Sequence, residues 1–433
     1  MESNSQMRFT KSFERAAPLF LAAVALPAFF AGRLGVPRGG TQSSQGAQKI
    51  SVPSSSNGIQ FSYGGSVAQI PAQITDALVL VPVRVKGSQP SWFLLDTART
   101  NSAIDDVRAV AVGLYSPSAQ GKLPKSFSNV RLEFPGLRIS LPSLALDSFG
   151  DFAARIGHAV QGVLGADVLS RLIIKIDYER QTVQFYDPKS FQYRGKGLKF
   201  AMKVADGIPA IAGEIAIHHR GNFRGAFAIS TGQTEPLRLS ARFASSHSLE
   251  DLPEKTVPFS TTDAASDTDF SDRLGRVHAM RFGKITFASP IAIFPGKPSK
   301  APAGIPQQFI GAMGGEILDR FTVILDYPAQ LLILEANRHF PDFFTADMSG
   351  LTVIAIPPEF RTFEVARVSE KSPAAEAGVA VGDMIEQADG NPASEYTLDD
   401  LRALLRQPGT SHTLKLLRNG KTINVTLNLK PLI

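Results

Sequence analysis

Phe93-Leu94-Leu95-Asp96-Thr97-Ala98 recurs downstream as Phe227-Ala228-Ile229-Ser230-Thr231-Gly232. In each copy an apolar run delivers one polar residue, then Thr, then a small residue. A second match pairs Gly165-Ala166-Asp167-Val168-Leu169-Ser170-Arg171-Leu172 with Gly314-Gly315-Glu316-Ile317-Leu318-Asp319-Arg320-Phe321. It continues from Ile176-Asp177-Tyr178 to Leu325-Asp326-Tyr327, with Gln181 and Gln330 in the same register. A third pairs Phe134-Pro135-Gly136-Leu137-Arg138-Ile139 with Phe282-Gly283-Lys284-Ile285-Thr286. Three matches in one order mean two copies of one unit, about residues 59–190 and 200–340. Alternating and β-branched runs dominate both copies, and long helical patterns are scarce before residue 370, so each copy reads as β structure with short turns.

Composition narrows the chemistry. The 433 residues are 43% hydrophobic and 19% charged, enough for two or three domains with their own cores. Without cysteine there can be no disulfide, thiol nucleophile or Cys-based zinc site. The formal charge of +6 is spread over scattered Lys and Arg, which argues against a nucleic-acid partner. No His-Glu-x-x-His occurs, and His218-His219 reads as a solvated turn. No metal and no organic cofactor is implied.

Residues 1–32 resemble an export signal: Arg8, Lys11 and Arg15 precede an apolar run over 16–31 that is short for a membrane span. Phe29 and Phe30 sit where a cleavage site wants small side chains, so an uncleaved membrane anchor is the alternative. Either way the chain is expected to be exported, periplasmic or extracellular. Residues 33–58 read as a flexible linker, followed by lobe one at 59–195, lobe two at 196–345 and a separate module at 349–433.

The order apolar-Asp-Thr-small, Val163-Leu164-Gly165, then Asp167 through Arg171 to Asp177-Tyr178, resembles retropepsin-like aspartic peptidases of the bacterial type. The second copy carries the later part in Met313-Gly314 and Glu316 to Tyr327. The resemblance spans about residues 75–340 and implies two β-barrel lobes packed as a pseudo-dimer. It further implies hydrolysis of extended peptides in an inter-lobe cleft, with Asp96, Thr97, Ser230 and Thr231 at the catalytic positions. That chemistry needs two carboxylates sharing one proton, one activating water and the other polarising the scissile carbonyl.

Three residues depart from that pattern. Ser230 replaces the second Asp, and a hydroxyl does not ionise near neutral pH. Ala98 adds a Cβ where Gly is usual, at a position expected to favour positive φ. Arg99 is expected to favour the ionised form of Asp96 and depress its pKa. Asp105 and Asp106 read as caps of a short helix, and the repeated Asp177 and Asp326 as strand-end turn residues. No Gly-x-Ser-x-Gly surrounds any Ser, so Ser230 is not read as a nucleophile.

Ser372-Pro373-Ala374-Ala375-Glu376-Ala377-Gly378-Val379, then Gly382-Asp383 and Asp389-Gly390, resemble a PDZ domain, an α+β fold that binds an extended peptide as an added strand. The apolar spacing over 397–405 predicts an amphipathic helix, and Asn419-Gly420 a hairpin turn. The groove is expected between residues 363–368 and that helix, with Phe360, Arg361, Phe363, Val365, Leu398 and Leu401 as peptide contacts. Pro357 and Pro358 remove amide donors from the loop that would hold a terminal carboxylate, and Glu359 would repel one. A PDZ fold acting as an intramolecular cap is the second reading. The whole chain is therefore expected to be mainly β: a weak or divergent aspartic-type endopeptidase, or a non-catalytic peptide-binding protein. Its partner is a peptide or protein, and its oligomeric state is open.

Overall fold

A computed structural model describes residues 58–116, 123–249, 255–259, 272–296 and 305–433. The chain divides into two units, Met1–Pro53 and Ser54–Ile433, and the description concerns the second. The expected export segment and all of the linker but its last residue lie outside the described residues. No helix among the described residues is long and apolar enough to cross a membrane.

Strand dominates, as the alternating runs require. In Leu78–Val85, Val79, Val81, Val83 and Val85 face one core while Leu78 and Leu80 face another, so the strand is buried on both sides at its start. It pairs antiparallel with Ser91–Leu95, and Gly162–Leu164 then lies parallel to the latter with Leu95 opposite Leu164. The second copy repeats this: Gly221–Ile229 runs parallel to Gly311–Met313, with Ile229 opposite Met313. The short helices Ala166–Leu169 and Gly315–Leu318 follow Gly165 and Gly314, whose backbones match at φ −101°, ψ −170° and φ −104°, ψ −170°. The third repeated segment forms the hairpins Ser126–Phe134 with Leu137–Asp147 and Ala279–Phe282 with Ile285–Ala288.

The two copies are stitched together by their last strands. Ile173–Asp177 pairs antiparallel with Phe321–Asp326, Ile173 opposite Asp326 and Asp177 opposite Thr322. Thr182–Tyr186 and Leu331–Ala336 flank this seam, so one sheet passes through both copies. Asp177 and Asp326 sit at the strand ends, where each carboxylate accepts a backbone N–H three residues on, from Arg180 and Ala329, at 2.9 Å. Gln181 and Gln330 both have φ 51°. These aspartates are turn residues, as their repetition suggested. One continuous core, with Phe93, Phe185, Phe227 and Phe321 fully buried, spans both copies. Each such ring contributes about 1.5–3 kcal/mol by leaving water.

The C-terminal sheet runs in the order Leu351–Ile356, Thr362–Val368, Met384–Ala388, Ser411–Arg418, Lys421–Asn428. The expected helix is Leu398–Leu405, its first turn closed by a reciprocal bond pair: Asp400 N–H to Thr397 Oγ1 at 3.0 Å and Thr397 N–H to Asp400 Oδ2 at 2.9 Å. Leu398, Leu401 and Leu405 form its buried face. Asn419 and Gly420 take φ 49° and 75°, the paired positive values of a tight hairpin.

The groove strand differs from expectation. Thr362–Val368 is covered along its length by Leu351–Ile356 on one side, and Phe363 and Glu364 pair with Ile385 and Met384 on the other. Its edge is therefore not open to an added strand. Leu351–Ile356 is the outer strand, and it packs with Leu398–Leu405 in a core that also contains Leu78, Leu80, Leu94 and Val163 of the first copy.

Candidate functional site

The repeated Asp/Ser-Thr loops meet where the copies join. Thr97 N–H donates to Thr231 Oγ1 and Thr231 N–H donates to Thr97 Oγ1, both at 3.1 Å. Each hydroxyl donates onward to the opposite strand, Thr97 to the Ile229 carbonyl at 2.5 Å and Thr231 to the Leu95 carbonyl at 2.7 Å. The preceding residues are held equivalently, Asp96 N–H to Leu164 O at 3.0 Å and Ser230 N–H to Met313 O at 2.9 Å. Both threonines are fully buried and engaged. They tie the lobes together and have no free group for substrate or water.

Asp96 and Ser230, by contrast, both line one cleft of about 690 Å³. Gly232 makes room for the carboxylate: a Cβ on it would lie 2.3 Å from Asp96 Cγ. Here the small residue of the motif is required by the close approach of the other lobe.

Two expectations, one about Asp96 and one about Ala98, need correction. Its pKa is raised, because burial against the lobe interiors outweighs the Ala98 N–H donated to Oδ1 at 2.9 Å and the Arg99 charge. The Arg99 guanidinium is drawn instead to Asp147 at 2.6 Å and the Asn101 carbonyl at 3.0 Å, and it lies over the Phe149 ring. Ala98 is not among the positive-φ residues, so its Cβ causes no backbone strain. Asp105 caps the helix Asp106–Ala111 through its side chain, as expected.

Beneath the junction, the Tyr327 and Tyr178 phenols are buried without a hydrogen-bond partner among the described residues. Burial pushes both up, with the Asp96 charge adding to the effect on Tyr327 and the Asp319 charge on Tyr178. The far end of the cleft carries acids that sequence reasoning missed. Burial pushes Glu316 and Asp319 to about 7 and Asp347 to about 6. The folded chain thus keeps protons on Glu316 and Asp319, between their ordinary pKa values and about 7, that the unfolded chain has released. Stability from these two groups is fully present at acidic pH and falls as pH rises towards 7. Glu316→Gln is expected to shrink that fall, measured as the urea midpoint at pH 5 and pH 7.5; an unchanged difference would count against Glu316.

The C-terminal module supplies part of the cleft wall through Thr352, Asp399, Arg402 and Arg406. The spacing of Asp399, Arg402 and Arg406 on one helix face was the available signal. Of the expected peptide contacts, Phe363 and Val365 are fully buried in the module's core, as are Leu398 and Leu401. Phe360 is buried, and Arg361 donates to the Tyr396 carbonyl at 2.6 Å.

A family model for the PDZ domain matches residues 364–418. No curated protein matches the chain. Among solved structures, the chain is similar to an aspartic proteinase from Irpex lacteus at 14% identity and a TM-score of 0.37, over 64% of this chain and 99% of that one. It is also similar to an aminopeptidase N family protein from Idiomarina loihiensis at 21% identity and a TM-score of 0.18, over 21% of this chain and 14% of that one.

Proposed function

We propose that the two β lobes form a pseudo-dimer of the aspartic-peptidase kind, which holds extended peptides in its inter-lobe cleft and hydrolyses them slowly. The observation that carries this reading is the reciprocal Thr97–Thr231 lattice, which sets residues 96 and 230 equivalently at one cleft, a carboxyl at the first and a hydroxyl at the second. Ionised Asp96 can take a proton from an attacking water and pass it to the leaving amide nitrogen. The Ser230 hydroxyl donates a neutral hydrogen bond to the carbonyl, weaker than a shared proton supplies. Burial works further against Asp96, because it raises the carboxyl pKa and so disfavours the base form.

A mixed peptide library incubated with the purified protein across pH 3–8 tests this. Slow cleavage is expected, abolished in Asp96→Asn. Cleavage that survives Asp96→Asn would overturn the assignment. Peptide binding without cleavage, retained in Asp96→Asn, would favour the second reading, a non-catalytic peptide holder, for which Ser230 is the supporting observation.

A further inference from the structure

The helix Gly150–Ile156 of the first lobe lies along Leu351–Ile356, the edge strand of the C-terminal sheet, and its C-terminal end abuts Leu398–Leu405. Phe149, Ala153 and Ile156 share a core with Leu351, Val353, Leu398, Leu401 and Leu405. Gly157 closes the helix at φ 67°, so near Leu398 that a Cβ would lie 2.6 Å from the leucine Cβ. The apolar content of the groove is thus filled from within the chain.

Its hydrogen-bonding content is not. Leu351–Ile356 pairs on one side only, so alternate residues point N–H and C=O away from the sheet. A helix cannot pair with that edge, and no backbone hydrogen bond among the described residues joins Gly150–Ile156 to it. An extended chain laid there would fill the groove and also complete the ladder.

The contacts closing the groove are short-range and polar at the rim. Asp399 Oδ2 accepts from Thr75 Oγ1 at 2.9 Å and from Asp76 N–H at 3.0 Å. Arg402 pairs with Asp76 at 3.0 Å and donates to the Arg155 carbonyl, and Arg406 lies 3.6 Å from Asp76. Partly exposed pairs of this kind contribute little each, and the helix has no side-chain N-cap. Phe152, Arg155, Asp76, Asp399, Arg402 and Arg406 also line the inter-lobe cleft. The groove closure and the cleft wall are therefore the same contact.

We propose that Gly150–Ile156 is a displaceable intrachain occupant of the PDZ groove. An extended peptide competes with it, and its release detaches the PDZ helix from the cleft, so that groove occupancy and cleft opening are coupled. This goes beyond the proposed hydrolysis and does not depend on it.

The probe is a mixture of fluorescein-labelled decapeptides, random in sequence and ending either in a free carboxylate or in an amide, added to the full chain. Hydrogen exchange is expected to slow at residues 351–356 and to quicken at 150–158. Ala153→Glu, which places a charge in the closure, is expected to bind the mixture at least tenfold more tightly, because a larger fraction of molecules has an open groove. Arg402→Ala should shift affinity in the same direction while keeping the apolar contact, and so guards against misfolding of the first variant. Unchanged exchange at 150–158 under saturating peptide would overturn the proposal. So would affinity no tighter in either variant, or no binding by any form. None of these readouts requires Asp96, so failure of the hydrolytic reading leaves the test intact.

Discussion

Ser230→Asp is expected, on the proposed hydrolytic reading, to raise the rate of peptide hydrolysis by about 100-fold or more, the usual scale of one positioned acid–base group. The reason is geometric. The Thr97–Thr231 lattice and the matched backbone bonds of residues 96 and 230 already hold both positions at the cleft. On the proposed reading, the group this site lacks is a second carboxyl at position 230. With it present, two carboxyls near one another share a proton, which separates their pKa values and provides base and acid together. Activity should then peak at acidic pH and vanish in the Asp96→Asn, Ser230→Asp double variant. Peptide turnover by purified protein across pH 3–8 checks this. A folded Ser230→Asp protein with no gain would mean that the cleft has lost more than one carboxylate.

Thr231→Val is expected to cost about 2–6 kcal/mol of stability, the largest loss foreseen from a single near-isosteric change. It removes the donor to the Leu95 carbonyl and the acceptor for Thr97 N–H, both fully buried. Each stranded group costs about 1–3 kcal/mol. Thr97→Val should cost a similar amount. The double variant should cost less than the sum, because the two side chains complete one network. Urea denaturation followed by tryptophan fluorescence measures this through Trp92, the sole tryptophan of the chain. Simple additivity would indicate that the two hydroxyls act independently.

What the sequence made legible and what it did not divide along the distance over which each feature is decided. The turns at Asp177 and Asp326, the hairpin at Asn419-Gly420 and the cap at Thr397 are settled within a few residues, so their residue types announce them. The duplicated loops were legible because the same local pattern occurs twice. Arg99 acts on Asp96 in the expected direction, but its ion-pair partner, Asp147, lies 48 residues on, and burial, a property of the assembled lobes, outweighs it at Asp96. The strand expected to border the PDZ groove has neighbours on both sides, because strand order, rather than strand identity, decides which edge is open. That Ala153 and Ile156 share a core with Leu351 and Val353, about 200 residues downstream, is invisible to any local pattern.

The seam between Ile173–Asp177 and Phe321–Asp326 also governs how the chain reaches its native state. Its partners are separated by about 150 residues, so the pairing closes late and carries a large loop-closure cost. Until residues 321–326 arrive, the first half presents the short strand Ile173–Asp177 with an unpaired edge, a template for association with other chains. A nascent or truncated first lobe is thus the vulnerable species, and its protection falls to whatever accompanies the chain before the second copy is complete.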